Sequence, residues 1–290
     1  AAALLCIAAR HNIQLEGKIL GVVGVGNVGK LVARKGEALG MKVLRNDPPR
    51  QRAGDIMPGE SFVSLDEILR CSDILTLHVP LIKEGIDKTF HMANESFFRK
   101  LKRGCIFINA SRGAVVSTPA LLDAINSGIV SHCIIDTWEK EPDYSVQLMN
   151  KADVASPHIA GHSFEGKVTG TVMVFEEACR FLGIKHNWSV EPLLPPPIVP
   201  EIRITTDTNK TDEQLLWDIV RQVYNIEQDD MSFRETAKLS PNERIKSFDA
   251  LRTNYPIRRE FRFTKLVFDN SASSAAKKTR LLGFKIEEKR

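Results

Sequence analysis

The sequence predicts an α/β protein with a doubly wound parallel sheet and a second, smaller α+β domain. Short apolar segments alternate with helical segments from residue 18 to residue 156, which is typical of parallel sheets covered by helices. A glycine-rich motif at residues 24–29 joins the first apolar segment to a helix. A proline-dense segment at residues 191–200 separates this part from a C-terminal part with a different order of elements.

The apolar segments of the first part lack polar alternation, as expected of strands that are buried on both faces of a sheet. Pro48 and Pro49 mark the end of the second strand, because proline cannot donate a hydrogen bond to a sheet. We expect strands at residues 18–24, 41–46, 74–79, 105–109, 133–136 and 154–156. We expect helices at residues 1–11, 30–39, 65–70, 95–101, 119–127 and 165–182.

The C-terminal part is predicted to combine short strands with helices. Thr211 is a suitable cap for a helix over residues 212–224. Ser240 and Glu243 have the spacing of a capping box, which predicts the start of another helix. Strands are predicted at residues 202–206, at 262–268 and, more weakly, from 285 to the end.

The composition is that of a globular protein: of 290 residues, 43% are hydrophobic and 26% are charged, with a net charge of +4. Five cysteines, mostly within apolar segments and without a CxxC motif, predict reduced core thiols in the cytoplasm. We find no clustered ligands for a metal ion. The apolar N-terminal segment lacks the basic flank of a signal peptide and is too short to cross a membrane.

The motif GVGNVG has the glycine spacing of a dinucleotide-binding loop, and it lies between a predicted strand and a predicted helix. Gly24 permits the tight turn, Gly26 lets the backbone approach a pyrophosphate, and Gly29 lets helix and strand pack closely. Asn27 and Val28 then place free N–H groups at the helix N-terminus, where an anion binds. The alternative is a plain turn between strand and helix.

Asp47 follows the second strand, eighteen residues after Gly29, where a carboxylate accepts hydrogen bonds from the adenosine ribose. A carboxylate there repels a 2′-phosphate and favours NAD over NADP. Three arginines nearby are an argument for NADP; they are Arg45, Arg50 and Arg52. We nevertheless expect NAD as the cofactor.

Three polar segments follow successive strands, at the sheet edge where open α/β sheets bind their ligands. They contain Arg112, Glu141 and His158. An arginine can bind a substrate carboxylate with two hydrogen bonds, and a histidine can exchange a hydroxyl proton near neutral pH. Glu141 can orient His158 and favour its protonated form. This set suits reversible oxidation of a 2-hydroxy acid to a 2-keto acid.

The motifs GVGNVG, INASRGAVV, IDTWEKEP and SPHIAG resemble the D-2-hydroxyacid dehydrogenase family in order and spacing. The resemblance implies a Rossmann-type NAD-binding domain and a catalytic set of Arg112, Glu141 and His158, with Arg112 also binding substrate. It implies cofactor contacts at Gly24, Gly26, Asn27, Val28, Gly29, Asp47, His78, Val79, Ala110, Ser111, Asp136 and Gly161.

The segments NDPPR, HVPL, HIAGHSFEGK and LRTNYPIRREF resemble one branch of this family, which oxidises a phosphorylated four-carbon 2-hydroxy acid in vitamin B6 biosynthesis. This branch implies a cytoplasmic homodimer with a C-terminal dimerisation domain. The implied domains are a substrate-domain helix at 1–16, the NAD-binding domain at 17–162, a helix returning to the substrate domain at 163–190, the proline-rich linker at 191–200 and the dimerisation domain at 201–290.

The sequence departs from the family in two ways. His162 stands where the family usually has a tyrosine, so we expect an imidazole to contact the substrate there. The chain also begins with Ala1 inside a predicted helix, without the upstream residues that build most of the family's substrate domain. We expect the isolated chain to bind NAD(H) without turnover and to expose apolar faces at residues 1–10 and 164–182.

Two other functions remain open: oxidation of a different 2-hydroxy acid, such as 3-phosphoglycerate, and NAD sensing without catalysis. Residues 232–290 carry 15 Lys/Arg against 7 Asp/Glu, which could indicate a nucleic-acid partner. We favour instead a strand at residues 255–263 with one arginine face and one apolar face, and expect neither nucleic-acid nor membrane binding.

His78 is expected to line the cofactor cleft and Trp138 to pack. Four histidines are predicted to be surface or packing residues: His11, His91, His132 and His186.

Overall fold

The computed structural model describes residues 1–205, 209–269 and 273–287, with a six-stranded sheet at its centre. Its strands are β1 (Ile19–Val23), β2 (Lys42–Asn46), β3 (Ile74–Leu77), β4 (Cys105–Asn109), β5 (Val130–Ile135) and β6 (Val154–Ala155). All neighbouring strands are parallel, in the order β2-β1-β3-β4-β5-β6. The predicted α/β fold is confirmed, and the carboxyl ends of the strands share one edge of the sheet.

Local capping signals start several of the accompanying helices. Ser64, Asn94 and Ser145 each accept a hydrogen bond from a backbone N–H of the first helical turn. Two six-residue helices, α3 and α7 below, were not predicted, because so short a segment shows no helical period. The helices of this part are α1 (Ala2–Arg10), α2 (Asn27–Ala38), α3 (Pro48–Ala53), α4 (Leu65–Cys71), α5 (Glu95–Arg99), α6 (Thr118–Asn126), α7 (Val146–Lys151) and α8 (Phe164–Leu182).

The C-terminal part forms a three-stranded parallel sheet with helices. Thr211 and Ser240 form the capping boxes of two helices, α9 and α11, where the sequence predicts helix starts. Thr206 and residues 288–290, which fall within predicted strands, lie outside the described residues. The elements are β7 (Glu201–Ile204), α9 (Asp212–Val223), α10 (Ile226–Glu235), α11 (Pro241–Thr253), β8 (Lys265–Phe268), α12 (Ser274–Leu282) and β9 (Lys285–Glu287), with strand order β7-β8-β9.

The strand predicted at residues 255–263 is absent, so that prediction is wrong. This segment is irregular and ends in a 3₁₀ turn at Phe261–Phe263, after which β8 begins. Its arginines have separate partners: Arg258 donates to two backbone carbonyls of an earlier loop, and Arg259 forms a buried ion pair with a glutamate of α8. The alternation of arginine and aromatic residues therefore reflects long-range contacts rather than a pleated strand.

Helix α1 is buried by the C-terminal part. It packs against α9, α10 and β5, and the side chains of Leu5, Ile7 and Ala8 are fully buried. Ile202 and Leu216 belong to the same hydrophobic cluster as α1 and β1. The expectation that residues 1–10 expose an apolar face is therefore wrong, while the domain boundaries stay a prediction.

Helix α8, in contrast, presents apolar side chains to solvent, as expected for residues 164–182. Met173, Val174, Phe181 and Leu182 are all exposed. Of the helices in the described part of the chain, none combines the length and apolarity that a membrane span requires.

We predict that Leu5→Ala lowers the free energy of unfolding by about 2–5 kcal/mol, because it leaves a cavity between α1 and the C-terminal helices. The matched control is Leu281→Ala on α12, where the leucine is 66% exposed and the expected change is within about 0.5 kcal/mol. Urea unfolding measures both. Equal losses in the two variants would contradict the burial of α1.

Candidate active site

The glycine-rich loop has the shape that a pyrophosphate needs. Gly24 has a φ of +85°, and a Cβ there would lie 2.7 Å from the His78 carbonyl oxygen. A Cβ on Gly29 would lie 2.0 Å from the Gly24 oxygen, so only glycine permits this approach of helix to strand. Gly26 faces open space and caps α2 without a side-chain hydrogen bond. The N-terminus of α2 is thus left open to an anion.

Asp47 follows β2, as predicted, and its carboxylate also organises the loop. It accepts hydrogen bonds from the backbone N–H of Val25 at 2.8 Å and of Arg50 at 3.1 Å, the latter as the cap of α3. The nearby arginines are all engaged by carboxylates: the pairs are Arg45–Glu37, Arg50–Asp55, Arg50–Glu60 and Arg52–Asp87. Their pairing removes the argument for a 2′-phosphate and favours NAD.

His158 and Glu141 form the centre of the site. The imidazole Nδ1 lies 2.6 Å from the Glu141 carboxylate Oε1, and the other carboxylate oxygen accepts a hydrogen bond from the Trp138 backbone N–H. Burial acts to raise the pKa of Glu141, but the hydrogen bonds from His158 and Trp138 outweigh it and lower the pKa. The carboxylate is therefore charged near neutral pH and fixes which ring nitrogen of His158 faces the cleft.

The His158 loop is folded around Asp136, at the end of β5. Its carboxylate accepts hydrogen bonds from Ser156 Oγ at 2.7 Å and from the backbone N–H groups of Ile159 at 2.8 Å and Ala160 at 3.1 Å. Its backbone carbonyl accepts from the His158 N–H at 2.7 Å. These bonds keep His158 at a φ of +57°, in the left-handed region that a histidine rarely adopts.

Arg112 is exposed at the end of β4, in a loop that is stabilised by hydrogen bonds to the Asn109 side chain. The Asn109 side-chain oxygen accepts hydrogen bonds from both the N–H and the Oγ of Ser111, and the Arg112 guanidinium donates to the Ser111 carbonyl at 2.7 Å. A Cβ on Gly113 would lie 1.8 Å from the Trp138 carbonyl oxygen. Glycine therefore lets the Arg112 loop touch the loop that leads to Glu141.

The segment from Arg258 to Glu260 supports the His158 loop, and sequence reasoning did not find this role. Arg258 donates to the carbonyls of Ile159 and Ala160, each at 3.0 Å, and its guanidinium lies 4.2 Å from the centre of the Tyr224 ring. These arginines belong to the segment LRTNYPIRREF, which resembles one branch of the family. That resemblance did not imply a function for the arginines.

A buried ion pair fastens the same segment to α8. Arg259 and Glu165 are both almost fully buried and hydrogen-bond to each other, and Glu165 also accepts from the Glu260 N–H at 2.9 Å. The Phe164 N–H donates to the Arg258 carbonyl at 2.7 Å. The chain immediately after the His158 loop is thereby fixed to the C-terminal part.

His162 lies beside this loop, with its ring 5.8 Å from that of Tyr255. Within the described residues its buried Nδ1 has no hydrogen-bond partner. Burial, and then the positive charges of Lys167, Arg252 and Arg258, lower its pKa to about 4. The imidazole is therefore neutral near neutral pH, in positively charged surroundings.

Trp138 packs as predicted, and His78 lies beside the glycine-rich loop. The backbone of His78 lies against Gly24, and its ring hydrogen-bonds Thr76 at the end of β3. Burial lowers the pKa of His78 to about 4, so it is neutral there. Trp138 is buried, and its indole N–H donates to the Ser156 carbonyl. All of the predicted cofactor contacts stay predictions, including those of Asn27, Val28, Val79, Ala110 and Gly161.

Residues 7–160 match the family profile described as D-isomer specific 2-hydroxyacid dehydrogenase, NAD binding domain. Residues 193–283 match a profile described as a domain of unknown function, DUF3410. The chain therefore contains the NAD-binding domain and the Rossmann-type fold predicted from its motifs.

The chain is similar to two curated bacterial proteins named erythronate-4-phosphate dehydrogenase. It is 41% identical to the protein of Proteus mirabilis over 273 residues, which cover 94% of this chain and 70% of that protein. It is 43% identical to the protein of Shigella dysenteriae over 272 residues, which cover 94% of this chain and 69% of that protein.

Among solved structures, the chain resembles the NAD-dependent formate dehydrogenase from Staphylococcus aureus in complex with NAD. The TM-score is 0.51 at 24% identity, over 61% of this chain and 52% of that one. At this identity the likeness concerns the fold.

We predict that Arg259→Met lowers the free energy of unfolding by about 3–5 kcal/mol, because it leaves the Glu165 carboxylate buried without its partner. Adding Glu165→Gln should restore much of the loss, since the amide oxygen still accepts from the Glu260 N–H. The control is Arg180→Met, which removes an ion pair whose side chains are 73% and 66% exposed and should cost at most about 1 kcal/mol. Denaturant unfolding measures all three, and a double variant no more stable than Arg259→Met would refute this role.

We also predict that the His162 imidazole stays neutral as the pH falls from 7 to 5 and protonates only near pH 4, because burial and three neighbouring cations disfavour its charged form. Histidine ring NMR signals followed against pH measure this, and the signal missing from His162→Gln identifies the residue. A midpoint near the usual value of about 6.5 would contradict the prediction.

Proposed function

The chain belongs to the D-isomer specific 2-hydroxyacid dehydrogenase family, and we propose that it acts as an erythronate-4-phosphate dehydrogenase. The proposed reaction is NAD-dependent oxidation of 4-phospho-D-erythronate to 2-oxo-3-hydroxy-4-phosphobutanoate, in the biosynthesis of pyridoxal phosphate. The observation that carries the catalytic part is the 2.6 Å contact between His158 and Glu141, next to the loop of Arg112. The substrate follows from the names of the relatives and their 41–43% identity.

Arg112 is proposed to bind the substrate carboxylate. Its guanidinium offers a planar pair of N–H donors, and such a pair matches the two oxygens of a carboxylate. Exposure of the side chain at the sheet edge leaves it free to reach a ligand in the cleft. Binding the carboxylate at this place sets the neighbouring C2 hydroxyl toward His158.

His158 is proposed to remove the proton of the C2 hydroxyl through Nε2, since Nδ1 is bonded to Glu141. The O–H electron pair becomes the second C–O bond as the C2–H bond breaks. The negative charge of Glu141 then stabilises the imidazolium that forms. NAD⁺, when bound, supplies the acceptor for the hydrogen that leaves C2 with two electrons.

The residues of the glycine loop are proposed to hold the cofactor. The open N-terminus of α2 suits the pyrophosphate, and Asp47 suits the ribose hydroxyls. The Asp136 carboxylate, one of the predicted cofactor contacts, is already hydrogen-bonded within the His158 loop. It therefore couples the cofactor side of the cleft to the position of the catalytic imidazole.

The positively charged side chains around His162 support a phosphorylated substrate. Lys167, Arg252 and Arg258 act on this imidazole electrostatically and would attract a phosphate dianion. His162 can donate one hydrogen bond to substrate in its neutral form, as the family's tyrosine would.

A cytoplasmic homodimer is part of the same proposal. The exposed apolar side chains of α8, such as Val174 and Phe181, are suited to burial against further protein. The C-terminal part matches a separate family profile, as a dedicated dimerisation domain would. All five cysteines are free, which suits a reducing compartment.

We predict that the full-length protein reduces NAD⁺ with 4-phospho-D-erythronate and not with D-lactate, and only weakly with 3-phospho-D-glycerate. Arg112→Ala should lower kcat/KM by about 10²–10³-fold, because it removes the carboxylate contact, while NADH binding is retained. Arg99→Ala, on the remote helix α5, is the matched control and should leave turnover unchanged. NADH absorbance measures the rates.

Two outcomes would overturn parts of this proposal. NADH binding without turnover of any 2-hydroxy acid would favour an NAD-sensing protein. Faster turnover of 3-phospho-D-glycerate than of 4-phospho-D-erythronate would replace the substrate and keep the reaction class.

A further inference from the structure

Two histidines and an aspartate meet at the edge of the large sheet opposite the active site. His11 directly follows α1, His132 lies near the amino end of β5, and Asp153 directly precedes β6. Each residue offers one donor atom, and the three donor atoms all lie within 4.8 Å of one another. No sequence motif indicates this cluster, because its members are far apart along the chain.

The spacing of the donor atoms suits a small divalent cation. His132 Nδ1 lies 2.9 Å from Asp153 Oδ1, and His11 Nε2 lies 3.9 Å from the same oxygen. Ligand bonds of about 2.0–2.1 Å in a tetrahedral zinc site place neighbouring donor atoms roughly 3.3–3.5 Å apart. The observed distances fall on either side of that value, so shifts of about half an ångström would complete the geometry.

The surrounding structure orients the ligands. The second carboxylate oxygen of Asp153 accepts a hydrogen bond from the Cys133 N–H at 2.8 Å, which leaves Oδ1 for the imidazoles. The rings of His11 and His132 are 4.3 Å apart, centre to centre.

Charge and access are also suitable. Arg10, the nearest cation along the chain, pairs with Glu227 at 2.9 Å. The side chains of His11, His132 and Asp153 are 37%, 19% and 22% exposed, so solvent can reach the cluster and a water can serve as the fourth ligand.

We propose that His11, His132 and Asp153 form a binding site for a divalent transition metal ion of the Zn²⁺ class, with water as the remaining ligand. A neutral His132 binds the ion through Nδ1 and carries its proton on Nε2, so metal bonds replace the contact between His132 Nδ1 and Asp153 Oδ1. The ion joins the end of α1 to β5 and to the edge strand β6, so its role is structural and independent of the reaction proposed above.

The experiment is titration of the chelator-treated protein with Zn²⁺, by isothermal titration calorimetry, with thermal unfolding in parallel. One equivalent should bind and raise Tm, whereas Mg²⁺, which prefers oxygen ligands, should do neither. Co²⁺ in place of Zn²⁺ should give the visible absorption of a tetrahedral site without a sulfur charge-transfer band, which excludes the cysteines as ligands.

His11→Gln and His132→Gln should each weaken Zn²⁺ binding at least tenfold and abolish the metal-dependent rise in Tm. His186→Gln, which alters an exposed histidine elsewhere, is the matched control and should bind as the unaltered protein does. Retained NADH binding shows that each variant is folded. Unchanged Zn²⁺ affinity in both cluster variants, or no stoichiometric binding to the unaltered protein, would overturn the proposal.

Discussion

The proposed catalytic arrangement depends on one buried carboxylate, that of Asp136. It takes three hydrogen bonds from the loop that carries His158, while its backbone carbonyl takes a fourth. Burial raises the pKa of Asp136, while the hydrogen bonds from the loop lower it and burial has the larger effect. The loop therefore stabilises the charged form of a carboxylate that burial disfavours. Without the carboxylate and carbonyl oxygens of Asp136 as acceptors, the left-handed backbone of His158 would relax and its imidazole would turn away from Glu141.

The C-terminal part supports the same loop from the other side. Arg258 donates hydrogen bonds to two carbonyls of the loop, and Arg259 fixes the start of α8 through its ion pair with Glu165. The N–H groups of the loop therefore donate to Asp136, at the end of β5. The carbonyls of the loop accept from a residue about 100 positions later in the chain. Because both sets of bonds must form together, the position of His158 depends on the packing of the two parts.

Features with a local physical cause were predictable from the sequence. The glycine loop, the capping boxes of Thr211 and Ser240 and the residues at strand ends all follow from short-range rules. Features that depend on distant partners were not predictable. Polar and apolar residues alternate over 255–263 as in a strand, yet Arg258 and Arg259 bind to the His158 loop and to α8. The meeting of His11, His132 and Asp153, like the burial of α1, arises only from the fold.

The burial of α1 by α9 has a consequence for how the protein is made. The backbone N–H of Leu15 donates to the side chain of Glu213, a residue 198 positions later. At ribosomal rates of about 5–20 residues per second, roughly 10–40 s separate the synthesis of these two residues. Throughout that interval the nascent chain carries the apolar face of Leu5 and Ile7 without its final cover, which is the kind of surface that chaperones bind.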